Sequence, residues 1–413
     1  MIRSRSGITG SARQPGGRPR IGGKACRRME TDQTERSMWQ FLLRLLKRRE
    51  SPCRVWMNSR TMKAQVLERP DRMVLRDVEV PEVGPDDILV RVRVCGISEL
   101  DRRLYTGECD PGPEPIIPGD EVLGTIEAMG AEVRGFDIGD RICVDSGFRL
   151  GACIYVRQGG SIASAGESPA CLGTMGGFAE FMLAPASRCF AAPEQVDDYT
   201  ASQAAHVVHQ FRTLQGIRQT LVENEPLGAS CVILGSRAGL MLTAMVRFLG
   251  FAPIVVVGAG EQNLDASVRM GADISVDSER VRDPLAAALE ALGPRAADVV
   301  IDVHGEGEAR RECERLLAPG GRLYSLRHPD AGDTGEIAAP VDVFAAVFKL
   351  LRYERINPRP AYSMAVPLEN VEWALREWHK DARLLKAFMS TALREDFFFE
   401  HYRSPVDATL YAK

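Results

Sequence analysis

Between residues 231 and 325 apolar runs alternate with helix-patterned stretches: CVIL, AGLMLTAMVRFLG, IVVV, LDASVRM, ADVVID, ARRECERLL and RLYSL. Strands joined through helices return to the same end of a sheet and therefore run parallel. A parallel sheet must be covered on both faces, which narrows this half of the chain to a doubly wound α/β arrangement. The preceding half has another rhythm. MKAQVL, ILVRVRVCGI, VLGTIEAMG, DRICV and FAEFMLA are short and often alternate apolar with polar residues, with Gly or Pro in the gaps. That spacing predicts a small barrel-like β domain. YTASQAAHVVHQFRTLQGIRQTLV reads as the helical link between the halves, and 341–390 as helices around the turn INPRP, followed by the aromatic tail DFFFEHY.

At 413 residues and 45% hydrophobic content, the chain has material for two or three domains. No internal repeat is visible. The ten cysteines are scattered through the chain, which speaks against a disulfide framework and for a reducing, cytoplasmic setting. No apolar run reaches transmembrane length, and the net charge of −4 gives no reason to expect a nucleic-acid partner. Charge is concentrated at the start: residues 1–61 carry 15 Lys/Arg against 4 Asp/Glu, net +11, leaving −15 for the remainder. This segment opens on SARQPGGRPRIGG, a mixture too poor in apolar surface to fold. Its WQFLLRLLKRR, a short basic amphipathic stretch, could touch anionic lipid or a partner. A disordered leader, a targeting segment and an upstream start codon are the other readings, with Met62 opening the folded part. The expected organisation is an N-terminal extension over 1–61, a β-rich domain over 62–209, a nucleotide-type domain over 210–345 and C-terminal helices with a tail over 346–413.

Several phrases fall into a single order: MKAQVL, VRVRVCGIS, EVLGTIEAMGAEVRGFDIGDRI, GTMGGFAEFMLAP, the strand-turn-helix at 231–250, ADVVIDVHG, LLAPGGRLYSL and INPRPAYSMAVPLENVEWAL. In that order they resemble the medium-chain dehydrogenase/reductase superfamily, in particular its zinc-type alcohol and polyol dehydrogenase branch. The resemblance covers 62–390. It implies a GroES-like catalytic domain packed on a Rossmann-like dinucleotide-binding domain, with the active site in the cleft between them.

The zinc positions depart from that pattern. Where the family has Cys-Gly-Ile-Cys-His, with the second cysteine on catalytic zinc, the chain has Cys95-Gly96-Ile97-Ser98-Glu99; where it has Gly-His-Glu, the chain has Gly119-Asp120-Glu121. The third ligand falls near Val208. Zinc prefers thiolate and imidazole, so zinc is not expected here. The four cysteines of the structural-zinc lobe fall on Leu150, Cys153, Val156 and Ser164, one thiol of four. A non-standard metal set of His206 and His209 with Asp120 or Glu121 is an alternative to histidines packed at the domain junction. The hydroxyl that relays the alcohol proton in the family is Leu100 here. Proton transfer therefore falls to Glu99, Asp101, Asp120, Glu121 or His209, with Ser98 as a hydrogen-bond donor. One of two adjacent carboxyls near a water-poor cleft can be raised into the range of a general acid. Equally, Asp120 could cap a turn and Glu121 pair with a buried arginine.

The resemblance also implies a nicotinamide cofactor. The family's Gly-x-Gly-x-x-Gly appears as Gly235-Ser236-Arg237-Ala238-Gly239, with Arg237 in the place of the middle glycine. Arg237 could block the phosphates or contact them. Gly258, at the end of IVVV, replaces the acidic residue that reads the ribose of NAD, which favours NADP(H) over NAD(H). Arg237 and Arg269 are candidates for the 2′-phosphate. Val303 and Arg327 complete the expected cofactor contacts, Arg327 standing where a glycine usually flanks the nicotinamide. The strand through which many members dimerise is abbreviated between 330 and 345, which leaves a homodimer open. Three functions fit: a zinc-independent oxidoreductase acting on a carbonyl or secondary alcohol of a sugar- or cyclitol-like small molecule, a conjugate (enone) reductase, and a non-catalytic binding protein derived from a dehydrogenase.

Overall fold

The computed structural model describes residues 61–109, 115–145 and 176–208, and the stretch 210–399 apart from 212–213, 215–227, 236, 295, 304–312, 326–342 and 382. All of these belong to the unit Ser59–Lys413.

The β-rich half begins with an antiparallel ribbon of β1 (Thr61–Arg69) and β2 (Arg72–Glu79). β3 (Asp87–Ile97) buries Val90, Val92 and Val94 while Arg91 and Arg93 face solvent, the alternation its sequence predicts. A seven-residue helix, α1 (Glu99–Tyr105), follows it directly. β4 (Glu121–Met129), β5 (Arg141–Asp145), β6 (Phe181–Pro185) and β7 (Cys189–Ala191) then build outward from β3. The link to the second half starts with α2 (Asp198–Ser202), capped by the Asp197 carboxylate, which accepts from the Thr200 N–H.

The second half contains β8 (Cys231–Leu234), α3 (Arg237–Phe248), β9 (Ile254–Gly258), α4 (Glu261–Arg269), β10 (Ile274–Asp277), α5 (Pro284–Leu292), β11 (Ala297–Asp302) and β12 (Leu317–Ser325). Its sheet has the order β10-β9-β8-β11-β12, and every pairing is parallel. Buried on both faces, β9 reads IVVVG without polar alternation, as a central parallel strand should. The strand β12 starts at Leu317 and takes in Ala318-Pro319-Gly320-Gly321, which the sequence pattern placed at the end of a helix.

The C-terminal segment corrects the expectation of helices alone. α6 (Val343–Arg352) and α7 (Val371–Lys380) are helical, but β13 (Tyr362–Val366), β14 (Lys386–Ser390) and β15 (Phe397–Phe398) are strands. They complete an eight-stranded sheet of order β15-β13-β14-β3-β4-β5-β7, with β6 on β3. YSMAV and KAFMS are five-residue, wholly or largely buried runs, and so short an apolar run has no period to distinguish strand from helix. α7 seals the barrel core with Val371, Ala374, Leu375 and Trp378, while α6 buries Phe344, Val347, Phe348 and Leu351 in a second apolar cluster that takes in Val299, Ile301 and Leu240 of the parallel-sheet half, with Phe344 stacked on Phe190. The architecture is thus α/β, a β-rich domain beside a doubly wound parallel sheet. Among the described residues, no helix is long and apolar enough to cross a membrane. One departure from the sequence reading concerns Cys109, which is disulfide-bonded, whereas Cys95, Cys143, Cys189, Cys231 and Cys313 are buried thiols.

Candidate functional site

The register of β3 against β4 sets Gly96 opposite Glu121, and the register of β14 against β3 sets Ala387 opposite Ile97. These pairings bring Glu121 and Lys386 together from positions 265 residues apart. Lys386 Nζ lies 2.5 Å from Glu121 Oε2 and donates to the Ile97 carbonyl at 2.9 Å. The same carboxylate oxygen accepts from Gln203 Nε2 at 2.6 Å, and His206 Nδ1 stands 3.6 Å from Oε1. Gly96 makes room for this cluster: a Cβ there would strike the Glu121 carboxylate and come within 2.7 Å of Gln203 Nε2. Burial favours the neutral acid, yet the Lys386 ammonium and then His206 and Gln203 hold the Glu121 carboxyl below its usual range. Glu121, only 2% exposed, is a fixed negative charge with a partly buried lysine as counter-ion. The arginine envisaged from the sequence is a lysine.

One residue earlier, the chemistry is different. Ser98 caps α1: its hydroxyl accepts from the Asp101 N–H at 3.2 Å while the Asp101 carboxylate accepts from the Ser98 N–H at 2.8 Å, a reciprocal capping box. The other Asp101 oxygen accepts from the Gly119 N–H at 2.9 Å, so one buried carboxyl ties the Ser98 turn to the turn that carries Asp120. The Ser98 side chain also hydrogen-bonds to Asp120, whose Oδ1 is buried without a partner. Burial, with repulsion from Glu121, pushes the Asp120 carboxyl up to about 6. Asp101 is raised further, by burial and then by Asp120. Adjacent carboxyls whose environments drive their proton affinities apart are the ingredients of acid–base chemistry near neutral pH. Glu99 is occupied elsewhere, paired with Arg102 at 2.6 Å.

At the nucleotide-type turn, Gly235 has a φ of +155°, and a Cβ on it would come within 2.8 Å of Val303 Cβ. Val303 is held in place by its N–H, which donates to the Leu234 carbonyl at 3.0 Å. Gly239 lies on the first turn of α3, where a Cβ would sit 3.2 Å from Ile233 Cγ2, so the helix packs tightly on β8. Gly235 thus ends β8 tightly against Val303, and the described chain resumes in α3, where the family's phosphate-binding turn would run into its helix. Arg237 neither fills it nor reaches across it. Its guanidinium stacks over the Trp378 ring at 4.7 Å and donates to the Trp378 carbonyl, joining α3 to α7. Arg269 is paired with Asp265 at 3.1 Å within α4. Gly258 ends β9, and Ala238 lies in the first turn of α3. His209, Ser236, Arg327 and the positions 150, 153, 156 and 164 lie outside the described residues.

Two family models match the chain, "Alcohol dehydrogenase GroES-like domain" over 84–194 and "Zinc-binding dehydrogenase" over 238–349. The chain belongs to the medium-chain dehydrogenase/reductase superfamily. Among its relatives, an L-threonine 3-dehydrogenase of Deinococcus deserti is 26% identical over 341 residues, covering 81% of this chain and 91% of the relative. The L-threonine 3-dehydrogenase of Shewanella halifaxensis is 26% identical over 357 residues, covering 84% and 96%. A protein described as a zinc-binding dehydrogenase from Sinorhizobium meliloti 1021, solved bound to NADP, matches with a TM-score of 0.65 at 25% identity over 80% of this chain and 99% of that one. An alcohol dehydrogenase from Escherichia coli CFT073 complexed with NADH shares the fold, with a TM-score of 0.66 at 19% identity over 81% and 100%. The protein is therefore an oxidoreductase of the medium-chain type, and its fold relatives hold nicotinamide nucleotides.

In a medium-chain dehydrogenase of the zinc branch the positions of Ser98, Asp120 and Val208 would hold the metal. Here they offer a hydroxyl, a carboxyl and an isopropyl group, and Val208 is fully buried in the core. This donor set does not fit zinc, which takes thiolate and imidazole nitrogen. Of the alternative set, His206 approaches Glu121 on one side and Gln210 at 2.7 Å on the other, and His209 lies outside the described residues. No described group of three His, Cys, Asp or Glu is arranged to hold a metal ion. At the nucleotide turn, in contrast, Gly235 and Gly239 stand where a dinucleotide-binding turn uses glycines. Reading the sequence missed Gln203, which sits in a helical link, and Lys386, at the head of a short apolar run; neither position carries a local signal of its role.

Proposed function

We propose that this protein is a zinc-independent oxidoreductase, favouring NADP(H), that interconverts a carbonyl and a secondary alcohol on a small polar substrate. The observation that carries the proposal is the Ser98–Asp120 pair. A hydroxyl and a carboxyl raised to about 6 stand where zinc-dependent relatives place two metal ligands. The nicotinamide nucleotide supplies or takes the hydride. The protein's own residues handle the proton and the oxygen. Ser98, whose orientation is fixed by Asp101, presents a hydroxyl that can donate to a substrate oxygen as negative charge develops on it. Asp120 passes or receives the proton through that hydroxyl, and a carboxyl near 6 works in both directions at neutral pH. Glu121, locked by Lys386, stays ionised and keeps the Asp120 proton affinity high. Gly258 supports NADP(H), since no carboxylate ends β9 to repel a 2′-phosphate.

The relatives named L-threonine 3-dehydrogenase make a hydroxy-amino acid a natural entry in a substrate panel, beside the polyols, sugars and cyclitols that the sequence suggests. The test is turnover with NADPH and NADP+ in chelator-treated buffer, using ketone–alcohol pairs and matched enones, with zinc content measured on the same sample. The proposal expects turnover without metal. It further expects Ser98→Ala and Asp120→Asn each to lower kcat by about 100-fold, in the range of general acid–base contributions. Tightly bound zinc whose removal abolishes activity would overturn it. Reduction of enones alone would replace it with conjugate reduction, and bound nucleotide without any turnover would return the chain to a binding role.

A further inference from the structure

The chain passes between its two halves twice, out after β7 at Ala191 and back before β13 at Tyr362. Both passages line one cavity of about 60 Å³, over a floor that includes the buried Val196 and Ile356. One wall residue, Glu354, is placed against two local preferences. α6 ends in a turn where the Glu354 N–H donates to the Leu351 carbonyl at 3.1 Å and the Arg355 N–H to the Leu350 carbonyl at 2.8 Å. Such an ending requires a left-handed residue, usually glycine, and Glu354 adopts it with a φ of +51°. The position is also the C-terminal end of a helix, where the backbone dipole disfavours a carboxylate. A side chain kept against both preferences points to a use beyond the helix.

The polar groups around the cavity are unequally occupied. Asp197 is committed: its Oδ1 accepts from the Thr200 N–H at 3.0 Å and its Oδ2 from Arg359 Nη2 at 2.9 Å. Glu354, which is exposed, meets only the other arm of Arg359, at 3.4 Å, among the described residues. The Arg352 guanidinium lies over the neighbouring Tyr353 ring at 5.4 Å and pairs with no carboxylate among the described residues. Asn357 accepts from the Arg359 N–H through Oδ1 at 3.1 Å, which leaves its Nδ2 as a donor. One carboxylate, one guanidinium and one amide donor therefore remain for a ligand.

We propose that this cavity binds the zwitterionic head of an α-amino acid, its ammonium on Glu354 and its carboxylate on Arg352 and the Asn357 amide. Both contacts are charge-assisted hydrogen bonds. The mixture of signs selects the ligand, because a simple anion would be repelled by Glu354 and a simple cation by Arg352. The volume suits the head group alone, so the side chain of a larger amino acid points outward to solvent. None of the residues assigned to the reaction lines this cavity, and the proposal requires nothing of the chemistry at Ser98 and Asp120.

Ligand-observed NMR with free glycine on the full chain, without nucleotide, tests it. Glycine has no hydroxyl, so its binding cannot be confused with turnover. The wild type should bind glycine saturably. Acetate and methylammonium, each carrying one charge of the pair, should bind about 10-fold more weakly or less well still, and Glu354→Gln and Arg352→Met should each lower glycine affinity by about 10-fold or more. Glu354→Gly is the decisive variant: it relieves the left-handed backbone, so it should melt above the wild type and yet lose glycine binding. No saturable glycine binding to the wild type would overturn the proposal. So would acetate binding as tightly as glycine, or glycine affinity unchanged in Glu354→Gly or in Arg352→Met. Should Glu354→Gly melt below the wild type, the binding ratios in Glu354→Gln and Arg352→Met, taken where both melt with the wild type, decide the question.

Discussion

Replacing Lys386 with methionine removes the ammonium that faces Glu121 while keeping most of the side chain's bulk. Glu121 is 2% exposed and would keep only Gln203 at 2.6 Å and His206 at 3.6 Å. Stripping the partner from a buried charge typically costs about 3–5 kcal/mol, and the Ile97 carbonyl, which loses its donor, adds roughly 1 kcal/mol. The surviving partners offset part of this, so a destabilisation of about 3–4 kcal/mol at pH 7.5 is expected. Its pH dependence is the more searching feature. In the wild type the Glu121 carboxyl lies below its usual range, so its contribution is present above that range and is lost as the pH falls. In Lys386→Met, burial is no longer opposed by the ammonium and lifts the carboxyl, and the variant gains on the wild type as the pH falls and Glu121 takes up a proton. His206, which stands against this carboxylate, acts in the same direction by becoming cationic in acid, and Asp120, raised by repulsion from Glu121, loses its charge over the same range. Urea unfolding of both proteins between pH 5 and 8, with Lys386→Met/Glu121→Gln as the third member, reads this directly. The gap should be widest at pH 7.5–8 and narrow towards pH 5, and the double variant should recover more than half of the loss. A gap independent of pH, or a double variant as unstable as the single, would refute an electrostatic origin and leave only lost packing.

Two further outcomes follow from the same geometry. The Asp120 carboxyl, raised from the usual 3.8 to about 6, costs stability once it ionises; this penalty is absent below the unfolded value and grows as the pH rises through the folded one. Asp120→Asn should therefore melt above the wild type at pH 8, by roughly 2 kcal/mol after allowing for solvent screening, and match it near pH 4 in calorimetric scans. Arg237→Met breaks the stacking on Trp378 and the bond to its carbonyl; a loss of about 1–2 kcal/mol is expected, together with a shift in tryptophan emission, and unchanged emission would contradict the contact.

The parts of the site that could be read from the sequence are those set by register and local pattern. Ser98 and Asp120 drew attention because, after the phrases VRVRVCGI and PG, they stand where the family the chain resembles has zinc ligands. The doubly wound half was legible because strands buried on both faces leave apolar runs such as IVVV with helical stretches between them. What remained hidden depends on contacts across long separations. Lys386 heads a five-residue strand and has the local sequence of an exposed residue; only its pairing with β3 turns it inward. Arg237 was ambiguous because its direction depends on α7, far along the chain.

The C-terminal strands bear on how the molecule is made. Because β14 lies between β3 and β13 and carries the counter-charge for Glu121, the β-rich domain cannot finish closing until Lys386–Ser390 have left the ribosome. Up to that moment the edge of β3 that later receives β14 is uncovered and a carboxylate destined for the interior lacks its cation. A nascent chain arrested short of residue 386 would thus present the open edge of β3 beside the strands of the parallel sheet, an edge of the kind that pairs with other chains.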